Sequence, residues 1–413
     1  MSSATIYFII LAIVIFGYLI DLFLGYLNTT TWSDLLPAVL KGIYDEEKYR
    51  EQQRFERVKY RFGLLTGALS FLLMIGMLLF GGFALIDSLV HNISRSSIIQ
   101  ALLFFGIIGL AADILTTPFD IYNTFVIEQK FGFNTTTVKT YLADKLKGWL
   151  LAALLGGGIL AIVVLIYEKT GTWFWILAWA IVTFFTVFVN YFYTLLILPI
   201  FNKLTPLEAG ELRDAIQAYA SKAGFSIRDV YVIDGSKRSK RGNAFFSGFG
   251  RQKRIVLYDT LIADHTVVEM VAILAHEVGH YKKKHILKGL IISILHTAVL
   301  FFILSLLVGN PLLSQSLGSE QPSFQIGMVA FGILYSPVSL LLGLAMNLLS
   351  RKHEYEADRF AAISFNARYL QDALKALSVK NLSNLTPHPW YVFFHYSHPT
   401  LLQRLAQLEK YRE

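Results

Sequence analysis

Long apolar runs alternate with polar connections along this chain. Seven runs reach, or nearly reach, the roughly 20 helical residues that cross a hydrocarbon core: 5–27, 62–85, 98–118, 149–167, 173–200, 286–308 and 325–349. The first lacks a basic flank and outruns the apolar region of a signal peptide, so it is expected to be a retained span. Within the runs stand Asp21, Gln100, Asp113, Asn190, His296 and Asn347, which are expected to line a wet cavity or to satisfy one another between helices, because a charge in hydrocarbon costs several kcal/mol.

Between the fifth and sixth runs the pattern changes. Residues 206–224 have helical spacing and end at Gly224, and 229–233 (DVYVI), 243–249 (NAFFSGF) and 254–258 (RIVLY) read as three short strands separated by basic or glycine-containing turns. The expected organisation is five membrane helices in 1–200, a small α/β segment in 201–285, two more membrane helices in 286–349 and a polar C-terminal segment in 350–413. The fold class is thus mainly α, with a small sheet beside a helix.

Composition agrees. With 54% hydrophobic and only 16% charged residues in 413, and a mean hydropathy of +0.51, the chain is too apolar for an ordinary soluble enzyme, in which about 25% of residues are charged. Disorder, collagen-like repeats and disulfide scaffolds are excluded. There is no cysteine, which removes thiolate zinc fingers, iron–sulfur clusters and a cysteine nucleophile, so any metal must rest on histidine and carboxylate.

The net charge of +8 would suit nucleic acid, but its placement points to a membrane. Lys and Arg number seven in 28–61, one in 86–97, four in 119–148, one in 168–172, fourteen in 201–285 and none in 309–324. Under the positive-inside rule this alternation sets the N-terminus outside and puts 201–285 and the C-terminal tail in the cytoplasm. No nucleic-acid partner is needed to explain the basic charge. The run Lys282–Lys284 is expected to anchor the sixth span at lipid headgroups. Gly81-Gly82 and Gly156–Gly158 permit close helix approach or bending, and the sequons at Asn28 and Asn134 fall in expected cytoplasmic loops.

The chemistry lies in 271–280, VAILAHEVGH. On a helix, His276 and His280 project from one face and can chelate one ion, with Glu277 beside a further coordination position. A catalytic zinc needs a third protein ligand and an open position. Downstream, Glu354 and Asp358 are again four apart in RKHEYEAD. Glu354 can complete a His₂Glu site, and Asp358 can accept a hydrogen bond from the outer nitrogen of a ligand histidine, fixing its tautomer. Near the C-terminus, His398 and Arg404 are the types of group that donate to an oxyanion, with His353, His388 and His395 as competitors.

HEVGH at 276–280, E-x-x-A-D at 354–358, NAFFSGF at 243–249, SHP at 397–399 with Arg404, LPAVLKGIYDEEKYREQQ at 36–53 and FVIEQKFGFN at 125–134 together resemble the type I CaaX prenyl endopeptidases, integral-membrane zinc metalloproteases. The resemblance covers nearly the whole chain. It implies a barrel of seven transmembrane helices around a large water-filled chamber, with one zinc at its cytoplasmic side. By the same resemblance His276, His280 and Glu354 bind that Zn²⁺, Glu277 is the general base, Asp358 supports a ligand from behind, Asn243 and Ala244 lie on an edge strand that pairs with substrate, and His398 stabilises the intermediate. It implies cleavage of the last three residues from a prenylated CaaX protein. The expected state is a monomer in contact with membrane lipid.

The absence of cysteine, the compact connections and a tail reading QLEKYRE favour a bacterial cell membrane over the endoplasmic reticulum. An unfolded membrane protein is then an alternative substrate, as for the heat-shock membrane metalloproteases. A transporter or channel would explain the spans but would leave the zinc pattern idle.

Overall fold

The computed structural model describes residues 2–224, 229–247 and 254–411. The N-terminal half is a series of helices: α1 (Ser3–Thr29), α2 (Glu46–Leu79), α3 (Gly82–Ile93), α4 (Ser97–Tyr122), α5 (Val138–Leu151), α6 (Gly157–Thr170), α7 (Phe174–Phe192) and α8 (Leu198–Phe201). The expected run 62–85 is cut by Gly81, in the left-handed region at φ 65°, so α2 ends at Leu79 and a separate helix, α3, starts at Gly82. Single π-helical segments join α5 to α6 and α7 to α8.

Among the described residues, six continuous helical stretches are long and apolar enough to cross a membrane. One of them, Val138–Phe201, is 64 residues long. It is interrupted at Gly171 (φ 52°, ψ −120°), a backbone conformation open to glycine and costly for other residues, and α6 then packs against α7.

Next comes a four-stranded sheet: β1 (Leu204–Pro206), α9 (Glu211–Lys222), β2 (Asp229–Ile233), β3 (Ala244–Ser247) and β4 (Arg254–Tyr258). The strand order is β1-β2-β4-β3, with β2 and β4 parallel and both outer pairs antiparallel. Two sequence expectations are corrected here. The helix expected from residue 206 starts at Glu211, because Leu204–Pro206 pair with β2 as a fourth strand; the strand expected over 243–249 is observed over Ala244–Ser247, while Gly248 and Phe249 lie outside the described residues.

The chain ends in α10 (Asp259–Asp264), α11 (Val267–Lys282), α12 (His285–Leu307), α13 (Pro311–Ser316), α14 (Phe324–Ala361), α15 (Ala367–Lys380), α16 (Pro389–His395) and α17 (Leu401–Leu408). An apolar core formed by Leu257, Leu261, Met270, Leu274, Leu370 and Leu401 packs α11 between the sheet, α15 and α17. The FVIEQKFGFN segment explains itself by docking onto the approach to β3: Lys240 N donates to Phe133 O at 2.9 Å, the Arg241 guanidinium lies 4.1 Å from the Phe133 ring centre, and it pairs with Glu128 at 3.0 Å.

The polar residues of the apolar helices mostly find partners. Asp113 meets Lys145 at 3.0 Å and Trp149 Nε1 at 3.0 Å; His296 meets the Tyr335 hydroxyl at 3.0 Å; Asn347 donates to Phe394 O at 2.9 Å. Gln100 and Asn190 donate to nearby backbone carbonyls. Asp21 instead lines a cavity of about 740 Å³ between α1 and α2, together with Glu56 and Lys59.

Candidate metal centre

Helix α11 starts with a capping box, in which Thr266 and Glu269 satisfy each other's backbone N–H groups. Met270, Val271, Leu274 and Val278 are buried, so the face bearing His276 and His280 is fixed against α14. Gly279 sets the distance between the two helices: a Cβ there would stand 3.0 Å from Ala357 Cα and 3.0 Å from Ala357 O, both backbone atoms that cannot swing away. The glycine inside HEVGH therefore lets α14 come close enough to deliver Glu354 and Asp358.

Three potential ligands converge. His276 Nε2 and His280 Nε2 are 3.1 Å apart, His280 Nε2 lies 3.2 Å from Glu354 Oε1, and His276 Nε2 lies 3.4 Å from Glu354 Oε2. Donors bound at about 2.0–2.1 Å to one tetrahedral zinc stand about 3.3–3.4 Å apart, so the donor types and their spacing both fit zinc. Among the described residues this is the group of His, Asp and Glu side chains close enough to hold an ion. Glu354 is 4% exposed, and its Oε2 finds no hydrogen bond, an arrangement that costs free energy unless a cation answers it.

Behind the triad, His276 Nδ1 faces Asp358 Oδ1 at 2.8 Å, and Asp358 is fully buried. Burial pushes the His276 imidazole down, but the carboxylates of Asp358 and Glu354 outweigh it and lift the ring to about 9. A metal must therefore displace a proton that these carboxylates hold. Arg404 grips Asp358 with Nε at 2.8 Å and a terminal nitrogen at 2.6 Å. Its remaining nitrogen lies 3.6 Å from Glu354 Oε2. The expectation of Arg404 as an oxyanion donor is thereby narrowed: its fork is committed to Asp358.

Glu277 lines a cavity of about 440 Å³ together with both histidines, Glu354, His398 and Arg404. Burial pushes its carboxyl up from the ordinary range, against the pull of His276 and His280. His398 Nε2 is 3.3 Å from Glu354 Oε1, and its side chain is 62% exposed. Its competitors go elsewhere: His353 stacks on His285, His388 caps α16, and His395 lines the cavity beside Asp21.

Asn243 and Ala244 line the same 440 Å³ cavity. Strand β3 is at the edge of the sheet. Tyr258 N donates to Asn243 O at 3.0 Å, which makes Asn243 and Tyr258 the hydrogen-bonded pair and turns the N–H and C=O of Ala244 toward the open edge. The Asn243 side chain itself takes that N–H at 2.8 Å. Sequence reasoning missed His285 and Glu356, which stand behind His280; the histidine five residues past HEVGH was the available signal.

Comparison with known proteins agrees. Residues 25–203 match the family model described as the CAAX prenyl protease N-terminal region with five membrane helices, and residues 206–412 match that of peptidase family M48. CAAX prenyl protease 1 of Saccharomyces cerevisiae is 34% identical over 403 residues, covering 91% of this chain and 88% of that protein. The CAAX prenyl protease 1 homolog of Oryza sativa subsp. japonica is 34% identical over 410 residues, covering 96% of each. The crystal structure of S. mikatae Ste24p superposes with a TM-score of 0.92 at 32% identity, covering 98% of this chain and 99% of that one. These matches span both halves of the chain, the apolar helices and the metal centre alike, and the chain belongs to the CAAX prenyl proteases of peptidase family M48.

Proposed function

We propose that this chain is a zinc-dependent membrane endopeptidase that removes the three C-terminal residues of prenylated CaaX proteins, cutting after the modified cysteine. The observation that carries the proposal is the meeting, in one cavity, of three ligating side chains and an open strand edge. The named relatives are CAAX prenyl proteases that match it nearly end to end.

In this reading His276, His280 and Glu354 hold one zinc per chain, and Asp358, gripped by Arg404, fixes the tautomer of His276. Zinc, when bound, supplies Lewis acidity, acidifying a water and polarising the scissile carbonyl. Glu277 takes the proton of the attacking water and passes it to the departing amine. His398 Nε2 donates to the oxyanion. The outward N–H and C=O of Ala244 pair with the substrate backbone once Asn243 swings aside, which holds the peptide extended without reading its side chains.

The spans are seven in this proposal, because the turn at Gly171 divides the 64-residue stretch into α5–α6 and α7–α8. They surround a chamber of which the cavity at Asp21 is part. The N-terminus lies outside, the metal centre faces the cytoplasm, the lysines 282–284 meet lipid headgroups, and the chain works as a monomer. The expectation of a bacterial membrane rests on composition; the relatives named above are eukaryotic.

Two experiments test this reading. Zinc-loaded protein is incubated with matched farnesylated and unfarnesylated CaaX peptides, and the products are identified by mass spectrometry. Release of the tripeptide from the farnesylated form is expected; no cleavage of either peptide, with activity on an unfolded membrane protein, overturns the substrate assignment. Since the chain has no cysteine, Arg95→Cys and Lys410→Cys each carry a unique thiol. An impermeant maleimide should label the first alone in sealed cells, and labelling of the second overturns the orientation.

A further inference from the structure

The two histidines of the metal centre are supported differently. His276 meets the Asp358 carboxylate directly at 2.8 Å. His280 Nδ1 instead faces His285 Nδ1 at 3.1 Å, and His285 Nε2 faces Glu356 Oε2 at 3.0 Å. The directions of these hydrogen bonds follow by elimination. His280 Nε2 points at the other ligands, so its Nδ1 carries the hydrogen and donates; His285 Nδ1 must accept, which leaves His285 Nε2–H to donate to Glu356.

Two further features hold His285 in this position. Its ring lies flat on that of His353, with centres 3.9 Å apart and planes 9° from parallel, and it is 5% exposed. Lys284, just before it, sits in the left-handed region at φ 58°, a conformation that a residue with a Cβ rarely adopts. That backbone turn sets the first residue of α12 against the last ligand of α11.

We infer that His285 is a positioning residue for the metal, and that Glu356, through His285, is to His280 what Asp358 is to His276. The relay fixes the ring orientation of His280 and raises its basicity as a ligand. It also ties the metal centre to the first turn of α12 and to α14, both of which continue into apolar helices. The inference rests on the assignment of His280 as a ligand in the proposed function.

The test is zinc affinity, measured on the full-length protein in detergent by competition with a chromophoric chelator, with visible spectra of the cobalt-substituted protein as a second readout. Replacing a supporting residue of this kind weakens metal binding about 10–100-fold, and His285→Leu is expected to do so and to shift the cobalt bands. His285→Asn sets an amide oxygen near the position of Nδ1 and is expected to restore most of the affinity. Glu356→Leu should weaken binding less than His285→Leu does, and Glu356→Gln, which still accepts, least. Unchanged affinity in His285→Leu, or an Asn variant no better than the Leu variant, overturns the relay. If His285→Leu does not fold, equal affinity in Glu356→Leu and the parent overturns it. His280→Ala separates the two levels: zinc retained there overturns the ligand assignment itself, whereas zinc lost there and unmoved at His285 overturns the relay alone.

Discussion

Two buried carboxylate clusters stand in different parts of the molecule, and they handle the same problem in opposite ways. Asp87 on α3 is 3% exposed. It accepts from Ser323 Oγ at 2.8 Å, from Gln325 Nε2 at 2.7 Å and from Ser319 Oγ at 3.1 Å. Each oxygen meets a donor, and the cluster locks the segment before α14 onto α3. Glu354, at the other end of α14, is as deeply buried, yet its neighbours offer ring nitrogens 3.2–3.4 Å away, and Oε2 has no hydrogen bond. A carboxylate whose oxygens all meet donors makes a structural lock; one with an oxygen left over among convergent ring nitrogens makes a place for a cation. Burial of a carboxylate does not separate the two, and the direction of its neighbours does.

Substitutions sharpen this contrast. The largest effect is expected from His276→Ala or Glu354→Ala, which should abolish stoichiometric zinc in elemental analysis and bring peptide cleavage to background; zinc held at one per chain in either would break the ligand assignment. Glu277→Gln comes next. It leaves the three ligands intact, so zinc should remain while cleavage falls about 10²–10⁴-fold, the usual contribution of a general base; full activity would remove Glu277 from that role. Asp358→Asn has one carbonyl oxygen where two carboxylate oxygens now serve His276 and Arg404. It should weaken zinc binding about 10–100-fold, and affinity equal to the parent would show that Arg404 alone orders this side of the site.

Much of this centre was legible in the sequence. Four-residue spacing on two helices announced His276, His280, Glu354 and Asp358, because helical geometry is local and the chemistry needs those types at that interval. The tertiary parts were not legible. That α11 and α14 touch at Gly279 depends on a backbone approach that no spacing encodes. The choice of His398 among four histidines depends on where α16 and α17 turn. The strand at Leu204–Pro206 has three residues and one proline, too little for a period-two pattern to declare itself, and it exists because β2 offers a partner. The cut at Gly81 was hidden for a related reason: apolarity continues across it, so hydropathy reads one run where the backbone makes two helices.

The Asp87 cluster tests the same contrast from its structural side, with the smallest expected effect. Asp87→Ala removes the shared acceptor and leaves the buried Ser323 and Gln325 with donors to satisfy in a dry site, which costs about 1–3 kcal/mol. The unfolding midpoint in detergent should fall, while zinc stoichiometry and the ratio of cleavage rates on different peptides stay with the parent, because the hydrogen bonds of the cluster join α3 to Ser319, Ser323 and Gln325 and not to the metal ligands. Asp87→Asn keeps one acceptor and should cost less than the alanine variant. A loss of zinc from Asp87→Ala at temperatures where the chain remains folded would show that the lock on α3 also sets the position of Glu354, through the long helix α14 that begins at the lock and carries the ligand near its far end.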